Sequence, residues 1–222
     1  MADTGELSKQ RRNIVASLEK LGYLSDSLAK RAMLRVKRED FVPKAYAASA
    51  YIDMPLPIPG GGTISAPHMH AISLSALGLR PGDKFLEIGA GSGIVLAYAN
   101  EIVGKKGKVF GIEFDKITYE FCRENLAEAG IEKKVMLILG DGSEGLLREA
   151  LFDKVLISAA SPAVPEPIRE QVKVGGVVVA AIGPPNGDQE LVCFTKKKSG
   201  AWSKRSVGGV VFVPLVGKYG WK

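Results

Sequence analysis

Short apolar runs alternate with amphipathic segments through the central part of the chain. Runs rich in aliphatic residues predict buried strands over 84–88, 108–112, 135–139, 154–158 and 176–182. Helical spacing of apolar residues between several of them predicts helices over 94–103, 116–129 and 165–173. Alternation of this kind predicts a parallel sheet with helices on both faces, each crossover being right-handed.

Both ends of the chain depart from this alternation. Apolar residues recur at helical spacing over 8–21 and 27–36, which predicts two helices ahead of the sheet. Near the other end, strands predicted over 190–195 and 207–213 flank a turn at Ser199–Gly200. Strands joined this closely must run antiparallel. The predicted fold class is therefore α/β, with a mostly parallel sheet and antiparallel C-terminal strands.

The segment over 41–67 is rich in proline and glycine, which a continuous helix or strand cannot accommodate. A stretch of this length without regular structure inside a compact domain is typical of a binding loop, and a plain linker is the alternative. A helix is predicted to follow over 68–77. We expect a single domain over 1–222 with three parts: N-terminal helices and a covering segment (8–67), a central core (68–183) and antiparallel strands (184–222).

Composition narrows the class of protein. With 222 residues, of which 46% are hydrophobic, the chain can bury one sizeable core. No apolar run approaches the roughly 20 residues of a membrane span, and Met1–Glu6 does not resemble a signal peptide. Cys122 and Cys193 stand alone in the sequence, which is typical of buried thiols in a reducing compartment. We therefore expect a cytoplasmic protein without a membrane partner.

The formal net charge of +6 would suit a nucleic-acid partner, but the basic residues are dispersed along the chain. The densest clusters are Lys9–Arg12, Arg35–Arg38 and Lys196–Lys198. The last of these precedes the Ser199–Gly200 turn, and lysines at a hairpin tip are normally solvated. Charge by itself therefore decides little about partners.

A glycine-rich turn carries the first indication of chemistry. The strand over 84–88 runs into Gly89-Ala90-Gly91-Ser92-Gly93, and a helix is predicted directly afterwards. Nucleotide-like ligands favour this order, because glycines let the backbone approach the ligand and the helix N-terminus offers unpaired N–H groups. The strand over 108–112 ends at Glu113, which is placed to accept hydrogen bonds from both ribose hydroxyls.

The glycine spacing and a neighbouring carboxylate distinguish among such cofactors. Gly89, Gly91 and Gly93 are spaced two by two, whereas the dinucleotide fingerprint is G-x-G-x-x-G. Glu87, just before the turn, would repel a pyrophosphate but suits a ligand that carries an amino group and a sulfonium. S-Adenosylmethionine fits that description, with NAD and a purely structural turn as alternatives. We expect Glu87 to contact the methionine end of the cofactor; a structural ion pair is its alternative role.

A longer set of motifs extends through most of the chain. The most specific is Thr63-Ile64-Ser65-Ala66-Pro67-His68-Met69-His70-Ala71, which precedes the glycine turn. Together with Pro55–Ile58 and Gly140–Ser143, it resembles the protein-L-isoaspartate (D-aspartate) O-methyltransferase family. Further segments that resemble the family are Phe152–Val155, Ala159–Pro165, Lys173–Gly176, Pro184, Gln189 and Val211–Leu215. The resemblance covers residues from about 10 to 222.

The resemblance implies a Rossmann-like methyltransferase that uses S-adenosylmethionine. Such enzymes methylate the α-carboxylate of L-isoaspartyl residues in damaged proteins and peptides, and the methyl ester then cyclises to a succinimide without further enzymatic help. Isoaspartyl proteins and peptides are the implied partners, and we expect a monomer with no nucleic-acid partner. Ala90, Ser161 and Val216 depart from residues common in the family, and none of these changes removes a charge that the chemistry requires.

Ser65 is the residue to which the resemblance assigns the active-site role. The chemistry needs no general base, because a carboxylate is already a nucleophile at neutral pH. Removing water and aligning oxygen, methyl carbon and sulfur should supply most of the acceleration. We expect the Ser65 hydroxyl to donate to the substrate carboxylate; capping the helix that begins near His68 is its alternative role.

The remaining expectations concern the cofactor. The resemblance implies that His70 lines its pocket. Asp141 and Gly142 are expected to meet the adenine, with the carboxylate accepting from the amino group; a simple Asp-Gly turn is the alternative. His68 and His70 are two apart on a helix and do not face each other, so no metal site is expected. The full expected cofactor-binding set is Gly62, Thr63, Ile64, Ser65, His70, Glu87, Gly89, Gly91, Ser92, Glu113, Phe114, Asp141, Gly142 and Val216.

Two other functions compete with this interpretation. Enzymes that methylate the amino groups of bases commonly carry Asn/Asp-Pro-Pro-aromatic after the fourth strand, and this chain has Ile157–Pro162 there. Enzymes that methylate C5 of cytosine need a nucleophilic cysteine in a loop. A non-catalytic binding module is expected to have lost the acidic and glycine positions, which are intact here. An S-adenosylmethionine-dependent nucleic-acid methyltransferase is the principal alternative.

Overall fold

The computed structural model describes residues 4–221. Its α-helices are α1 (Thr4–Lys20), α2 (Ser27–Arg35), α3 (Pro67–Leu77), α4 (Ile94–Val103), α5 (Lys116–Glu128) and α6 (Glu166–Glu170). Its strands are β1 (Leu56–Pro57), β2 (Thr63–Ile64), β3 (Lys84–Ile88), β4 (Lys108–Glu113), β5 (Val135–Leu139), β6 (Phe152–Ser161), β7 (Val172–Ile182), β8 (Gln189–Lys196) and β9 (Trp202–Val210). Short 3-10 helices lie at Arg38–Phe41, Lys44–Ser49, Gly104–Lys106, Glu132–Lys134, Gly142–Glu144 and Leu147–Glu149.

Strands β3 to β9 form one sheet in the order β5-β4-β3-β6-β7-β8-β9. The pairs from β5 to β7 are parallel, whereas β8 runs antiparallel to β7 and β9 antiparallel to β8. The predicted α/β fold class is thus confirmed. From β3 the chain proceeds outward to β4 and β5 and then returns to β6 on the other side of β3. Open α/β sheets bind ligands outside the carboxyl ends of the strands at such a reversal.

Successive residues of the central strands point to opposite faces of the sheet, and each face carries its own apolar cluster. Phe85 and Val179 belong to the cluster that includes residues of α1 to α5. Leu86 and Val178 belong to the other, which includes Ile168 of α6. Within residues 4–221, no helix has the length and apolar content needed to cross a membrane.

The covering segment over 41–67 contains more regular structure than predicted. A 3-10 helix over Lys44–Ser49 lies in its first part, after another that ends at Phe41. Strand β1 pairs antiparallel with β2, which places Leu56 opposite Ile64. The connection turns at Gly60, whose φ is +90°. The Thr118 hydroxyl of α5 donates to the carbonyl of Pro59 (3.0 Å). The expectation of continuous irregular structure was wrong, because paired backbone and an anchor on α5 hold the segment over the carboxyl edge of the sheet.

Several predicted elements differ in extent from the structure, among them α6 and β9. The helix predicted over 165–173 is the shorter α6, because β7 already begins at Val172, whose pairing partner is Phe152 of β6. The strand predicted over 207–213 is β9, which begins earlier and ends at Val210. The tight turn after β8 places Trp202 opposite Lys196, so strand pairing starts directly after the turn.

The lysine cluster at this hairpin is only partly solvated. Lys197 and Lys198 are exposed, as predicted. The ammonium group of Lys196 instead donates to the carbonyls of Arg169 (3.0 Å) and Val172 (2.9 Å). The prediction was therefore wrong for Lys196, which ties the hairpin to the C-terminal end of α6.

Candidate active site

A cavity of about 270 Å³ lies at the carboxyl ends of β3 and β4, beside the reversal of strand order. The glycine turn, the covering segment and the C-terminal segment after β9 form its wall together. All members of the expected cofactor-binding set line it except Asp141, namely Gly62, Thr63, Ile64, Ser65, His70, Glu87, Gly89, Gly91, Ser92, Glu113, Phe114, Gly142 and Val216. Folding therefore brings together residues that lie far apart in the sequence.

The glycine turn owes its residue types to backbone conformation and to packing. Gly89, Gly91 and Gly93 have φ of +81°, +57° and +85°, a region that side chains with a Cβ rarely adopt. A Cβ on Gly93 would also lie 2.9 Å from the Cys122 sulfur of α5. The third glycine therefore lets α5 pack against the turn, while Gly89 and Gly91 form part of the cavity wall.

Glu113 closes β4 with a carboxylate that the backbone holds in place. One oxygen accepts the N–H of Gly91 (2.9 Å), and the other accepts those of Phe114 (2.9 Å) and Asp115 (3.1 Å). A carboxylate has about four acceptor positions, so it can still accept from a ligand. The geometry thus couples the end of β4 to the glycine turn and presents an oriented acceptor at the cavity.

Two buried polar atoms on the cavity wall have no partner within the described part of the chain. One is Oε2 of Glu87, whose Oε1 accepts from the Ser158 hydroxyl (2.8 Å); the other is the Ser92 hydroxyl oxygen. Burial, with a further contribution from Glu113, raises the pKa of Glu87 well above its ordinary value despite the hydrogen bond from Ser158. Orphaned buried polar atoms need a partner, and this pair fits a ligand that supplies a cationic donor.

The structural ion pair considered for Glu87 does not form. None of the ion pairs made among residues 4–221 includes Glu87. Its position on the cavity wall instead favours contact with a ligand.

His70 also lines the cavity, and behind it lies a residue that the sequence did not single out. Its Nδ1 is 3.2 Å from the Nη1 of Arg38, a fully buried arginine whose Nε donates to the carbonyl of Ala50 (2.6 Å). Burial, and next the Arg38 charge, lower the pKa of His70 well below its ordinary value. In the sequence, Arg38 stood out only as a member of the basic cluster Arg35–Arg38. The apolar residues Phe41–Val42, which follow closely, were the available signal that Arg38 is buried.

Ser65 stands where this cavity meets a second, more open groove of about 990 Å³. Met69 and Ser158 also line both spaces. Helix α3 begins at Pro67 with Ala66 as its N-cap and without a side-chain cap, so Ser65 does not cap it. The Ser65 hydroxyl makes no hydrogen bond within residues 4–221, which leaves it available to a molecule at the junction.

The groove is bounded by the covering segment, the loop over 185–188 and the extended segment over 209–214. Buried Gln189 aligns the last of these. Its side-chain oxygen accepts the Phe212 N–H (2.6 Å), while its amide nitrogen donates to the carbonyls of Phe212 (3.1 Å) and Pro184 (3.0 Å). One glutamine thus joins the loop and the extended segment on the same side of the groove.

Asp141 lies outside the cavity lining, contrary to expectation. Its Oδ1 accepts the N–H of Ser143 (2.8 Å), and its Oδ2 accepts that of Lys218 (2.8 Å). Although burial acts to raise its pKa, these hydrogen bonds lower the value overall. These hydrogen bonds tie the C-terminal segment to the end of β5. Because a carboxylate has about four acceptor positions, Asp141 can still accept from a ligand, and its contact with the adenine stays a prediction. Gly142 does line the cavity, and a Cβ there would lie 2.5 Å from Cγ2 of Ile88.

His68 and His70 contact different side chains. His68 lies 2.9 Å from Asp53, whose carboxylate also accepts the His68 backbone N–H. His70 faces Arg38. In the part of the chain that the structure describes, no group of three or more His, Cys, Asp or Glu side chains is placed to hold a metal ion.

Comparison with known proteins gives one consistent result. A family model described as protein-L-isoaspartate(D-aspartate) O-methyltransferase matches residues 9–220. A protein-L-isoaspartate O-methyltransferase of Methanothermobacter thermautotrophicus is 42% identical over 213 residues, which is 96% of this chain and 98% of the relative.

Two solved structures agree with this assignment. One, a protein-L-isoaspartate O-methyltransferase, has a TM-score of 0.85 at 29% identity and covers 95% of this chain and 67% of its own. Another, from Plasmodium falciparum and assigned to the same enzyme, was solved with S-adenosyl-L-homocysteine; its TM-score is 0.81 at 29% identity, over 93% of this chain and 98% of that one. The nucleic-acid methyltransferase alternative is therefore set aside. This chain belongs to the protein-L-isoaspartate (D-aspartate) O-methyltransferase family.

Proposed function

We propose that this chain transfers the methyl group of S-adenosylmethionine to the α-carboxylate of L-isoaspartyl residues in proteins and peptides. A bond forms between a carboxylate oxygen and the methyl carbon as the bond from that carbon to sulfur breaks. The products are a methyl ester and S-adenosylhomocysteine. The observation that carries the proposal is the position of Ser65 between the cavity at the glycine turn and the open groove, in a chain of this family.

Bound S-adenosylmethionine supplies an electrophilic methyl group on a positively charged sulfur. On the protein side, Glu113 accepts from the ribose hydroxyls with the carboxylate that three backbone N–H groups orient. The orphaned Oε2 of Glu87 accepts from the ammonium group of the methionine end. These contacts fix the cofactor at its ribose and at its methionine end.

Ser65 acts on the other reactant. Its hydroxyl donates to the isoaspartyl carboxylate and holds one oxygen in line with the methyl carbon and sulfur. Opposite charges combine in this reaction, so a water-poor junction favours it by removing the hydration that stabilises both reactants. Because a carboxylate is already ionised at neutral pH, no neighbouring residue has to remove a proton.

The groove favours recognition of peptide backbone over side chains. An isoaspartyl residue sends the main chain through its side-chain carbonyl, so a selective site must hold backbone on both sides of the branch. We expect backbone groups of the segments over 54–65 and 183–189 to make these contacts, in the manner of strand addition. Pro55 and Pro185–Gln189 line the groove, which supports this expectation and predicts tolerance of many sequences.

Labelled cofactor and paired peptides that differ only in aspartyl or isoaspartyl linkage test the proposal. We expect methyl transfer to diverse isoaspartyl peptides and rejection of their aspartyl twins, because the β-carboxylate of the twin lies out of line with the methyl carbon. Comparable methylation of both peptides would refute the proposed specificity. Methyl transfer to RNA or DNA in place of the isoaspartyl peptide would refute the function.

The cellular setting belongs to the same proposal. We infer a cytoplasmic monomer that has neither a nucleic-acid nor a membrane partner. The buried single thiols Cys122 and Cys193 support a reducing compartment. Light scattering on the purified protein should give the mass of one chain, and added nucleic acid should not compete with peptide.

A further inference from the structure

Arg38 is a buried cation that no carboxylate of residues 4–221 contacts directly, although the charge of Asp53 acts on it from farther away. Only 2% of its surface is exposed, and no ion pair within residues 4–221 includes it. Its Nε donates to Ala50, its Nη1 faces His70, and its Nη2 has no partner among the described residues. A buried charge is costly unless something compensates it, so a role limited to filling space does not account for arginine here.

The contact between Arg38 and His70 determines where the imidazole carries its proton. A guanidinium only donates hydrogen bonds, so Nδ1 of His70 must accept, and the single ring proton then lies on Nε2. Protonation of Nδ1 is opposed by burial and by the Arg38 charge, which together lower the pKa of His70. The Nε2–H has no partner within residues 4–221, and the ring lines the cavity. His70 thus offers a hydrogen-bond donor to whatever occupies the cavity.

The cavity wall is therefore complementary to an α-amino acid group. Glu87 contributes a buried acceptor atom without a partner. His70 contributes a ring N–H that makes no hydrogen bond within residues 4–221, with the Arg38 cation directly behind the ring. The methionine end of S-adenosylmethionine carries an ammonium group and a carboxylate. We propose that Arg38 is a positioning residue, which holds His70 as an Nε2–H donor to the cofactor's carboxylate and has that carboxylate as its counter-charge across the imidazole ring. This inference rests on the cofactor of the proposed function.

Ligand truncation separates this role from a structural one. Calorimetry would compare S-adenosylhomocysteine with its decarboxylated analogue and with 5′-methylthioadenosine, which lacks the whole amino acid end. In Arg38→Met, we expect affinity for S-adenosylhomocysteine to fall about tenfold or more, while that of the other two ligands changes less than about twofold. Arg35→Met, which removes an exposed arginine of α2, is the matched control and should change none of the three.

A uniform loss of affinity for all three ligands in Arg38→Met would overturn the proposal, because it would show a general structural defect. Arg38→Lys retains the charge and a donor, and we expect it to recover part of the discrimination between S-adenosylhomocysteine and the decarboxylated analogue. If the unaltered protein bound none of the three ligands, the proposed cofactor itself would be wrong. That result differs from the uniform loss in Arg38→Met, so the two failures can be told apart.

A measurement on the unaltered protein avoids any folding defect of the variants. Nitrogen-15 NMR of the histidine rings reports which ring nitrogen carries the proton. We expect the Nε2–H tautomer of neutral His70, with a change in the Nε2 signal when S-adenosylhomocysteine binds and a smaller change with the decarboxylated analogue. An Nδ1–H tautomer, or equal changes with both ligands, would refute the role assigned to Arg38.

Discussion

At the scale of single residues, the candidate site is marked by polar groups that the protein itself leaves incompletely satisfied. The Glu87 oxygen and the Ser92 hydroxyl are buried without partners, and the Ser65 hydroxyl is free of hydrogen bonds within the described chain. Glu113 differs, because three backbone donors already orient it. A polar atom without a partner indicates where a ligand completes the hydrogen bonding. A polar group that the backbone already binds, such as the Glu113 carboxylate, is oriented before the ligand arrives.

Glu113→Ala should weaken S-adenosylhomocysteine binding by about 2 to 3 kcal/mol, because two charge-assisted hydrogen bonds to the ribose are lost. Calorimetry measures the change directly. Glu124→Ala, on the exposed surface of α5, is the control and should leave affinity unaltered. Equal affinities of the Glu113→Ala and unaltered proteins would exclude Glu113 as the ribose ligand.

Ser65→Ala should reduce the rate of methyl transfer roughly 10- to 1000-fold, the usual effect of removing one donor to a reacting oxygen. Thermal stability should change little, because Ser65 caps no helix. Cofactor affinity should fall by a smaller factor than the rate of methyl transfer. Single-turnover kinetics with an isoaspartyl peptide, alongside thermal denaturation, separate the two effects. Full activity with lowered stability would mean that the residue is structural.

Glu87→Gln tests the buried carboxyl through the pH dependence of stability. The folded-state pKa is raised above the ordinary 4.5, so stability of the ligand-free protein is fully present below 4.5 and declines as pH rises through the raised value. The glutamine variant should lack this decline and be more stable near neutral pH, yet bind S-adenosylhomocysteine less tightly. Urea unfolding from pH 4 to pH 8 gives the comparison; parallel pH profiles of the two proteins would contradict it.

At the scale of elements, the C-terminal segment after β9 contributes to both the cavity and the groove although it belongs to no regular strand. Gln189 at the start of β8 holds Phe212, and the Ala160 N–H of β6 donates to the Val213 carbonyl (2.8 Å). Asp141 holds Lys218 further along. The segment is thus held by side-chain hydrogen bonds and by the end of β6, and not by continuous strand pairing.

Gln189→Ala should raise KM for isoaspartyl peptides and increase hydrogen exchange over 210–215, because the extended segment loses its clamp. Loss of these hydrogen bonds should destabilise the protein by about 1 to 3 kcal/mol. Gln171→Ala is the matched control: Gln171 is equally buried and joins Leu146 to Glu144 away from the groove. That variant should lose stability without a change in peptide KM; an equal change in KM would argue against the clamp.

At the scale of the whole molecule, one sheet runs from β5 to β9 without interruption, and the covering segment and the C-terminal segment both close onto its carboxyl edge. Strand β8 pairs with β7 over Val177–Ile182, and β9 pairs with β8, so the antiparallel strands extend the parallel part of the same sheet. We therefore retain the expectation of a single domain.

Calorimetric unfolding should show one cooperative transition, with equal calorimetric and van't Hoff enthalpies. S-Adenosylhomocysteine at about 100 times its Kd should stabilise the folded state by about 2.7 kcal/mol. A C-terminal truncation after β7 is expected to abolish this transition. Two resolved transitions in the full chain, only one of them shifted by ligand, would indicate independent parts.

Local signals in the sequence were sufficient for the sheet, the glycine turn and part of the cavity wall. Strand periodicity, glycines at left-handed positions and an acidic residue after a strand depend on neighbours only a few residues away. The family motif around Ser65 is likewise contiguous. The family, the fold class and the expected lining residues from Gly62 to Gly142 therefore followed from the sequence, with Asp141 as the exception.

Only the tertiary structure decided which polar groups are partnered. Asp141 anchors the C-terminal segment because Lys218, 77 residues later, donates to it. Arg38 lies behind His70, 32 residues away, and Gln189 clamps Phe212, 23 residues away. Burial and hydrogen-bond partners are set by how distant segments meet, and a one-dimensional pattern does not contain that information. The sequence indicated a part of the residues that surround the cofactor cavity, and only the fold determined which of them hold one another and which remain free for a ligand.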